Sequence, residues 1–255
     1  MPQPFAHALA WLGSVLPLAL LCSDVARAAE GAQLLNFYGY HDCIQLSNDS
    51  TEVILCPAAG GRVLSYALEG ANILYLPRGD EGWVWDGSSA RAPMHAGRFD
   101  IGPEQMVPRR PTLWQGKWTG EIVGDRAAVL RSQYDASTGV QLERRFELAA
   151  DSSKLECTQT IINASPQDEE RTVEYCHWSR TFVNGYGTCV LPVSRPSRFP
   201  QFYVRYDPPN NLINFQPNDR HIQLVDDHLI INARPLNPKL GFDSQQGWLA
   251  YLSRQ

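Results

Sequence analysis

The chain has 255 residues, of which 44% are hydrophobic and 19% charged, with a formal net charge of −5. That much apolar material excludes a disordered chain. The acidic balance, with no run of Lys and Arg, excludes the phosphate-neutralising surface on which nucleic-acid binding depends.

Residues 8–21 are nearly continuous apolar sequence and are followed by Ala26-Arg27-Ala28-Ala29. This pattern reads as a secretory signal peptide over residues 1–28. It is too short to cross a bilayer, which takes about 20 residues, and no later stretch is long and apolar enough to do so. The expectation is a periplasmic or secreted protein whose residues 29–255 form a single domain. Such a compartment permits disulfides. Cys43 and Cys56 flank one expected hairpin and Cys157 and Cys176 another, leaving Cys189 over. Either pair is a candidate cross-link; the other reading is that all five are small buried hydrophobes. The spacings fit no zinc pattern, and no metal site or cofactor motif is expected.

In chain order, Cys43–Leu46 and Glu52–Cys56 read as strands around a Ser-Asn-Asp-Ser turn. Gly60-Gly61 precedes an alternating strand over Arg62–Leu68, and Gly70-Ala71-Asn72 turns into a strand over Ile73–Leu76. Residues 77–116 hold Pro77, Pro93, Pro103, Pro108 and Pro111 with Trp83, Trp85 and Trp114, far too long for an ordinary connection. Strands resume over Lys117–Val123, Ala127–Gln133, Val140–Leu148 and Leu155–Ile162, then Arg171–Phe182. Val140–Leu148 alternates at period two over its whole length, the mark of a half-buried strand. Residues 192–219 form a Pro- and Asn-rich excursion before His221–Val225, His228–Asn232 and Gly247–Leu252. Many short strands without a helical period predict an all-β antiparallel sandwich or barrel.

The order of these pieces resembles the galactose mutarotase-like superfamily. The resemblance rests on Ala59-Gly-Gly-Arg-Val-Leu-Ser-Tyr66, Gly70-Ala-Asn-Ile-Leu74, the strand pair Leu142–Leu148 and Thr158–Ser165, and His177-Trp-Ser-Arg-Thr-Phe182. Lys239-Leu-Gly-Phe-Asp243 with Gly247-Trp-Leu-Ala-Tyr251 is similar to an uncharacterised secreted bacterial branch, a domain of unknown function. It implies a β-supersandwich (two large antiparallel sheets face to face), here lacking its last strands, with a sugar in a cleft.

In the aldose 1-epimerases of that superfamily a histidine protonates the ring oxygen and a glutamate deprotonates the anomeric hydroxyl. His177 matches the acid, a role that suits an imidazole near neutral pH. On the same strand Trp178 points to the opposite face, and so does Arg180. Candidate sugar contacts are Arg98 and Glu104 in the loop from residue 94, Trp178, Arg62 after the Gly-Gly turn, and Lys239 near the C-terminal strand, with Asp243 beside it. Each has a plainer reading: His177 as a bonded sheet histidine, Arg98 in an ion pair with Asp100 or Glu104, Arg62 in a surface salt bridge, and Trp83, Trp85 and Trp114 as local core. Two departures from the epimerase pattern stand out. There is no His-Gly dipeptide, and no Glu follows Glu174. The sequence therefore predicts a carbohydrate-binding protein, either an aldose 1-epimerase isomerase or a non-catalytic carbohydrate-binding module, with a purely structural envelope protein as a third reading. A frame cut short after residue 255 is also compatible with the missing late Glu.

Overall fold

The computed structural model describes residues 31–93, 95–166, 172–232 and 239–253. The expected signal peptide, Met94 and the acidic turn at 167–171 lie outside the described residues. In chain order the strands are β1 (Gly31–Phe37), β2 (Tyr40–Ser47), β3 (Thr51–Cys56), β4 (Arg62–Leu68) and β5 (Ala71–Asn72), then β6 (Gly97–Arg98) and β7 (Ile101–Gly102). A four-residue helix, α1 (Pro111–Trp114), leads to β8 (Thr119–Gly124), β9 (Ala127–Arg131), β10 (Val140–Leu148) and β11 (Leu155–Asn163). There follow β12 (Cys176–His177), β13 (Arg180–Thr181), β14 (Thr188–Pro192), β15 (Tyr203–Asp207) and β16 (Leu212–Asn214). The last four are β17 (Ile222–Val225), β18 (His228–Asn232), β19 (Lys239–Phe242) and β20 (Ala250–Leu252).

Alternation decides the central strand. Val140, Leu142, Arg144, Phe146 and Leu148 of β10 are buried, while the residues between them are more exposed. β10 sits between β11 and β9 in a sheet ordered β11-β10-β9-β8. That sheet faces a larger one ordered β1-β2-β3-β4-β6-β13. Ile44, Leu46, Val53 and Leu55 from the larger sheet meet Leu130, Leu142 and Phe146 from the smaller, with Phe99, Ile101 and Trp118, in one core. Each such side chain contributes about 1.5–3 kcal/mol by leaving water. The fold is thus an all-β antiparallel sandwich, as the alternation predicts.

The larger sheet is buried on its other face too. Cys43, Ile54, Cys56 and Leu64 form a second core there with Tyr40 and Ala96. Its cover is the Trp- and Pro-rich stretch that reads in sequence as a long loop. Tyr40 donates to the Trp83 carbonyl at 2.7 Å, and the Gly82 amide donates to the Tyr38 carbonyl at 3.0 Å. The Gly60-Gly61 turn beneath it is left-handed at both residues, φ 71° and 59°. A Cβ on Gly61 would lie 2.4 Å from the Trp118 ring, so glycine is required by both conformation and space.

Several expectations are corrected. Residues 73–76 are not a strand; Leu74 makes only an isolated bridge to Val183. The expected strand from Arg171 to Phe182 is two short pieces in different sheets, because β12 pairs with β7 and β13 with β6. The 192–219 excursion contains β15 and β16, and β1 is a full strand without a strong sequence signal. The candidate disulfides are absent: all five described cysteines are free. Cys43 and Cys56 face each other from neighbouring strands and their thiols hydrogen-bond to one another. Cys157 instead lies 3.8 Å from Arg144 Nη2, and Cys176 is exposed, so the reading of five buried cysteines fails as well.

Beyond residue 187 the chain forms two small sheets, ordered β17-β18-β14-β20 and β16-β15-β19. They share a lesser core of Leu191, Val193, Tyr203, Leu229 and Ile231. No helix among the described residues is long and apolar enough to cross a membrane.

Candidate functional site

Strand register sorts the candidate residues by face. Val63 pairs with Gly97, and Arg98 pairs with Arg180. Paired residues share a face and successive residues alternate, so Arg62, Arg98 and Arg180 all project from the face turned away from the main core. Asp100 continues that row while Phe99 and Ile101 point into the core.

The three arginines have different surroundings. Arg62 is 1% exposed, and its Nε, Nη1 and Nη2 donate to the carbonyls of Ala59 (3.1 Å), His95 (2.7 Å) and Pro93 (3.2 Å). Neither a sugar contact nor a surface salt bridge describes it: it ties the covering segment to the sheet. Arg180 forms an ion pair with Glu104. Arg98 is 2% exposed and its guanidinium lies 3.8 Å over the Trp114 ring, yet Nε and Nη1 have no hydrogen-bond partner. Burial, with Arg180 adding to it and Asp100 opposing, pulls the Arg98 pKa down to about 10, so it stays charged at neutral pH.

Beside this row lies a cavity of about 290 Å³ whose lining includes Asp100, Glu104, Arg109, Arg110, Trp114 and Gln115. α1 and the turn after it place Trp114 and Gln115. The preceding Arg110 grips Asp100 through Nε at 2.8 Å and Nη2 at 3.0 Å, and Nη2 also donates to the Ile101 carbonyl at 2.7 Å. Asp100 further accepts the Ile101 amide at 2.8 Å. Burial nonetheless pushes its carboxyl above the usual range, against the pull of Arg110. Gln115 is buried and its Oε1 is unbonded. The wall therefore offers one aromatic plate, several planar donors and acceptors, and one unsatisfied buried polar atom, Gln115 Oε1. Buried polar atoms without a partner are rare in native structures.

His177 does not join this group. It pairs with Ile101, is exposed, and rests against Phe99 with ring centroids 5.2 Å apart. It looks out from the side opposite Arg98, near Ser179, which donates to Gln159 at 2.6 Å. Among the described residues no carboxylate lies within ion-pair distance of it. Trp178 packs on the other side, over Gly102, where an added Cβ would stand 2.6 Å from its ring. The opposite orientations expected for His177 and for Trp178 and Arg180 are observed. Lys239 is exposed on β19 with Nζ 5.1 Å from the Tyr206 ring, in a different sheet. Asp243 accepts from Ser197 (2.9 Å) and from the Arg198 amide (2.7 Å), a turn-stabilising role. Of the expected set, Glu104 lines the cavity; Arg98 is buried against the Trp114 ring without lining it; Arg62 shares the face of Arg98; His177 and Lys239 lie elsewhere.

Sequence reasoning passed over Arg110, Gln115 and the pair Asp80–His95. His95 is fully buried, with Nδ1 2.9 Å from Asp80 Oδ2 and Nε2 unbonded. Asp80 is also paired with Arg91. Burial and Arg62 push the His95 pKa below its usual value, with Asp80 opposing. The only trace of these pairs in sequence is a density of charged residues within a Trp- and Pro-rich stretch. Partners 10 and 15 residues apart in an irregular segment carry no period. Comparisons with protein-family models, curated proteins and solved structures return no match for this chain.

Proposed function

We infer that the protein binds a carbohydrate in the cavity between Asp100, Glu104, Arg110, Trp114 and Gln115, and that it belongs with galactose mutarotase-like sandwiches. The observation that carries this reading is one aromatic plate, Trp114, set beside planar donors and acceptors in a small polar cavity. Apolar sugar faces pack on aromatics, and sugar hydroxyls both donate and accept, so they suit Arg110 and Gln115 together. Binding without chemistry fits best. Both carboxylates of the cavity already hold guanidinium groups, Asp100 with Arg110 and Glu104 with Arg180, so neither is a free base.

Aldose 1-epimerase activity is a second reading, favoured by the exposed imidazole of His177. An acid alone does not complete that mechanism, which also needs a base at the anomeric hydroxyl. Polarimetry of freshly dissolved α-glucose and α-galactose separates the two. The binding reading expects no acceleration over buffer, together with saturable quenching of tryptophan fluorescence by sugar that is lost in Trp114→Ala. Mutarotation accelerated by the wild type and abolished in His177→Ala would replace it with the epimerase.

A further inference from the structure

Strand register separates one pair of cysteines from the other three. β2 and β3 are antiparallel neighbours with Ile44 opposite Leu55, so the next step along the ladder sets Cys43 opposite Cys56. Among the described residues the remaining cysteines face other side chains: Cys157 lies opposite Phe146, Cys176 opposite Gly102, and Cys189 between Ile231 and Tyr251. Opposed residues project from the same face of a sheet. Cys43 and Cys56 accordingly both belong to the second core, fully buried, and their thiols hydrogen-bond to one another.

The backbone already stands where a cross-link needs it. Opposed residues on antiparallel strands have Cα atoms about 4.5 or 5.5 Å apart, and a disulfide spans roughly 4.4–6.8 Å. Both positions are also pinned from their outer sides, Cys43 by Leu35 of β1 and Cys56 by Arg62 of β4. The two thiols differ in readiness. The hydrogen bond from Cys56 pulls Cys43 below its usual value against burial, and that bond together with burial pushes Cys56 up. The thiolate is the nucleophile in exchange, so Cys43 attacks and Cys56 follows.

We propose that Cys43 and Cys56 form a thiol–disulfide exchange site, at which a small disulfide such as oxidised glutathione converts the hydrogen-bonded pair into a cross-strand disulfide stapling β2 to β3. The Cys43 thiolate attacks one sulfur of the reagent and expels a first thiol. Cys56, giving up its proton, then attacks the Cys43 sulfur of the mixed disulfide and expels the second. The two cysteines are oxidised, the reagent disulfide is reduced to two thiols, and the two cysteine protons end on them. The segment over this core is tied down through Tyr40 and the Trp83 carbonyl, so the reagent meets the pair before that cover closes or when it lifts. The proposal is independent of the carbohydrate reading.

The test starts from the full chain, reduced and unfolded in urea, and refolds it in glutathione buffers from fully reduced to mostly oxidised. Acid quenching, unfolding, alkylation of free thiols and peptide mass spectrometry then map the linkages. Oxidising buffers are expected to yield a peptide joining Cys43 to Cys56, reversed by excess reduced glutathione, with the thermal midpoint of the cross-linked protein raised by about 6–12 °C over the reduced form. Cys56→Ala is expected to lose both the linked peptide and the oxidant-dependent rise. Should that variant fail to fold, the linkage map and midpoint of the wild type still decide. Recovery of Cys43 and Cys56 as alkylated free thiols, in a buffer that oxidises the exposed Cys176, overturns the proposal. So does their linkage to other cysteines instead of to each other, or a cross-linked protein that melts no higher than the reduced one.

Discussion

Among the described residues one histidine, His95, is buried, and its imidazole sets a pH dependence of stability. Charging His95 inside the protein is opposed by burial and by Arg62, so the folded state binds the proton less readily than the unfolded chain does. Above pH of about 6.5 neither state holds that proton and stability is level. As the pH falls below about 6.5, the unfolded chain takes up a proton that the folded protein refuses. Stability then drops by at most about 1.4 kcal/mol per pH unit, until the pH reaches the lowered folded-state value. Denaturant titrations of wild type and His95→Asn between pH 8 and 5 check this. The stability difference between them should narrow as the pH falls, and parallel curves would refute the assignment. The same residue shows what sequence can carry at this scale. That His177 and Trp178 face opposite ways follows from strand alternation alone. That His95 is buried against Asp80 depends on how an irregular segment folds over a sheet, and nothing local encodes it.

At the level of elements, the tight seam is the left-handed turn before β4. Gly61→Ala places a Cβ 2.4 Å from the Trp118 ring at φ 59°. The left-handed backbone costs about 1–2 kcal/mol for a residue with a side chain, and the crowding a further 1–3 kcal/mol. Unfolding in urea should therefore show a loss of about 2–5 kcal/mol; a loss under 1 kcal/mol would mean that the turn relaxes freely. β10 gives the complementary case. Phe146 stands in the main core between two paired strands, so Phe146→Ala should cost about 3–5 kcal/mol, whereas the exposed Glu147→Ala on the same strand should change stability by less than about 0.5 kcal/mol. These contrasts were legible in advance because strand alternation is a property of consecutive residues. The strand expected from Arg171 to Phe182 was not, because it is divided between β7 and β6, whose positions are set from the other side of the molecule.

Across the whole molecule, apolar burial is uneven. The sandwich of β1–β4 with β8–β11 encloses the main core, and the larger sheet carries a second core beneath the cover formed by residues 77–93. The two sheets after residue 187 share only a small cluster and leave Leu212 70% and Leu249 64% exposed. Regions with few buried apolar contacts open at lower free energy. Hydrogen exchange followed by mass spectrometry should find peptides from β15–β17 exchanging well before those from β2–β4, β9 and β10, and equal protection would show that the two parts open as one unit. The sequence by itself determined that this is a strand-built chain, where its best strands run and which of their side chains point together, because period-two alternation and turn residues act over a few neighbours. Only the tertiary structure decided that the tryptophan-rich segment is a cover, that Arg62 ties that cover to the sheet, that His177 and Arg98 lie on opposite faces, and that Arg98 is buried with Nε and Nη1 unbonded. Those outcomes depend on pairings between residues tens of positions apart, and burial, which sets the cost of a charge, exists only once the sheets have closed over it.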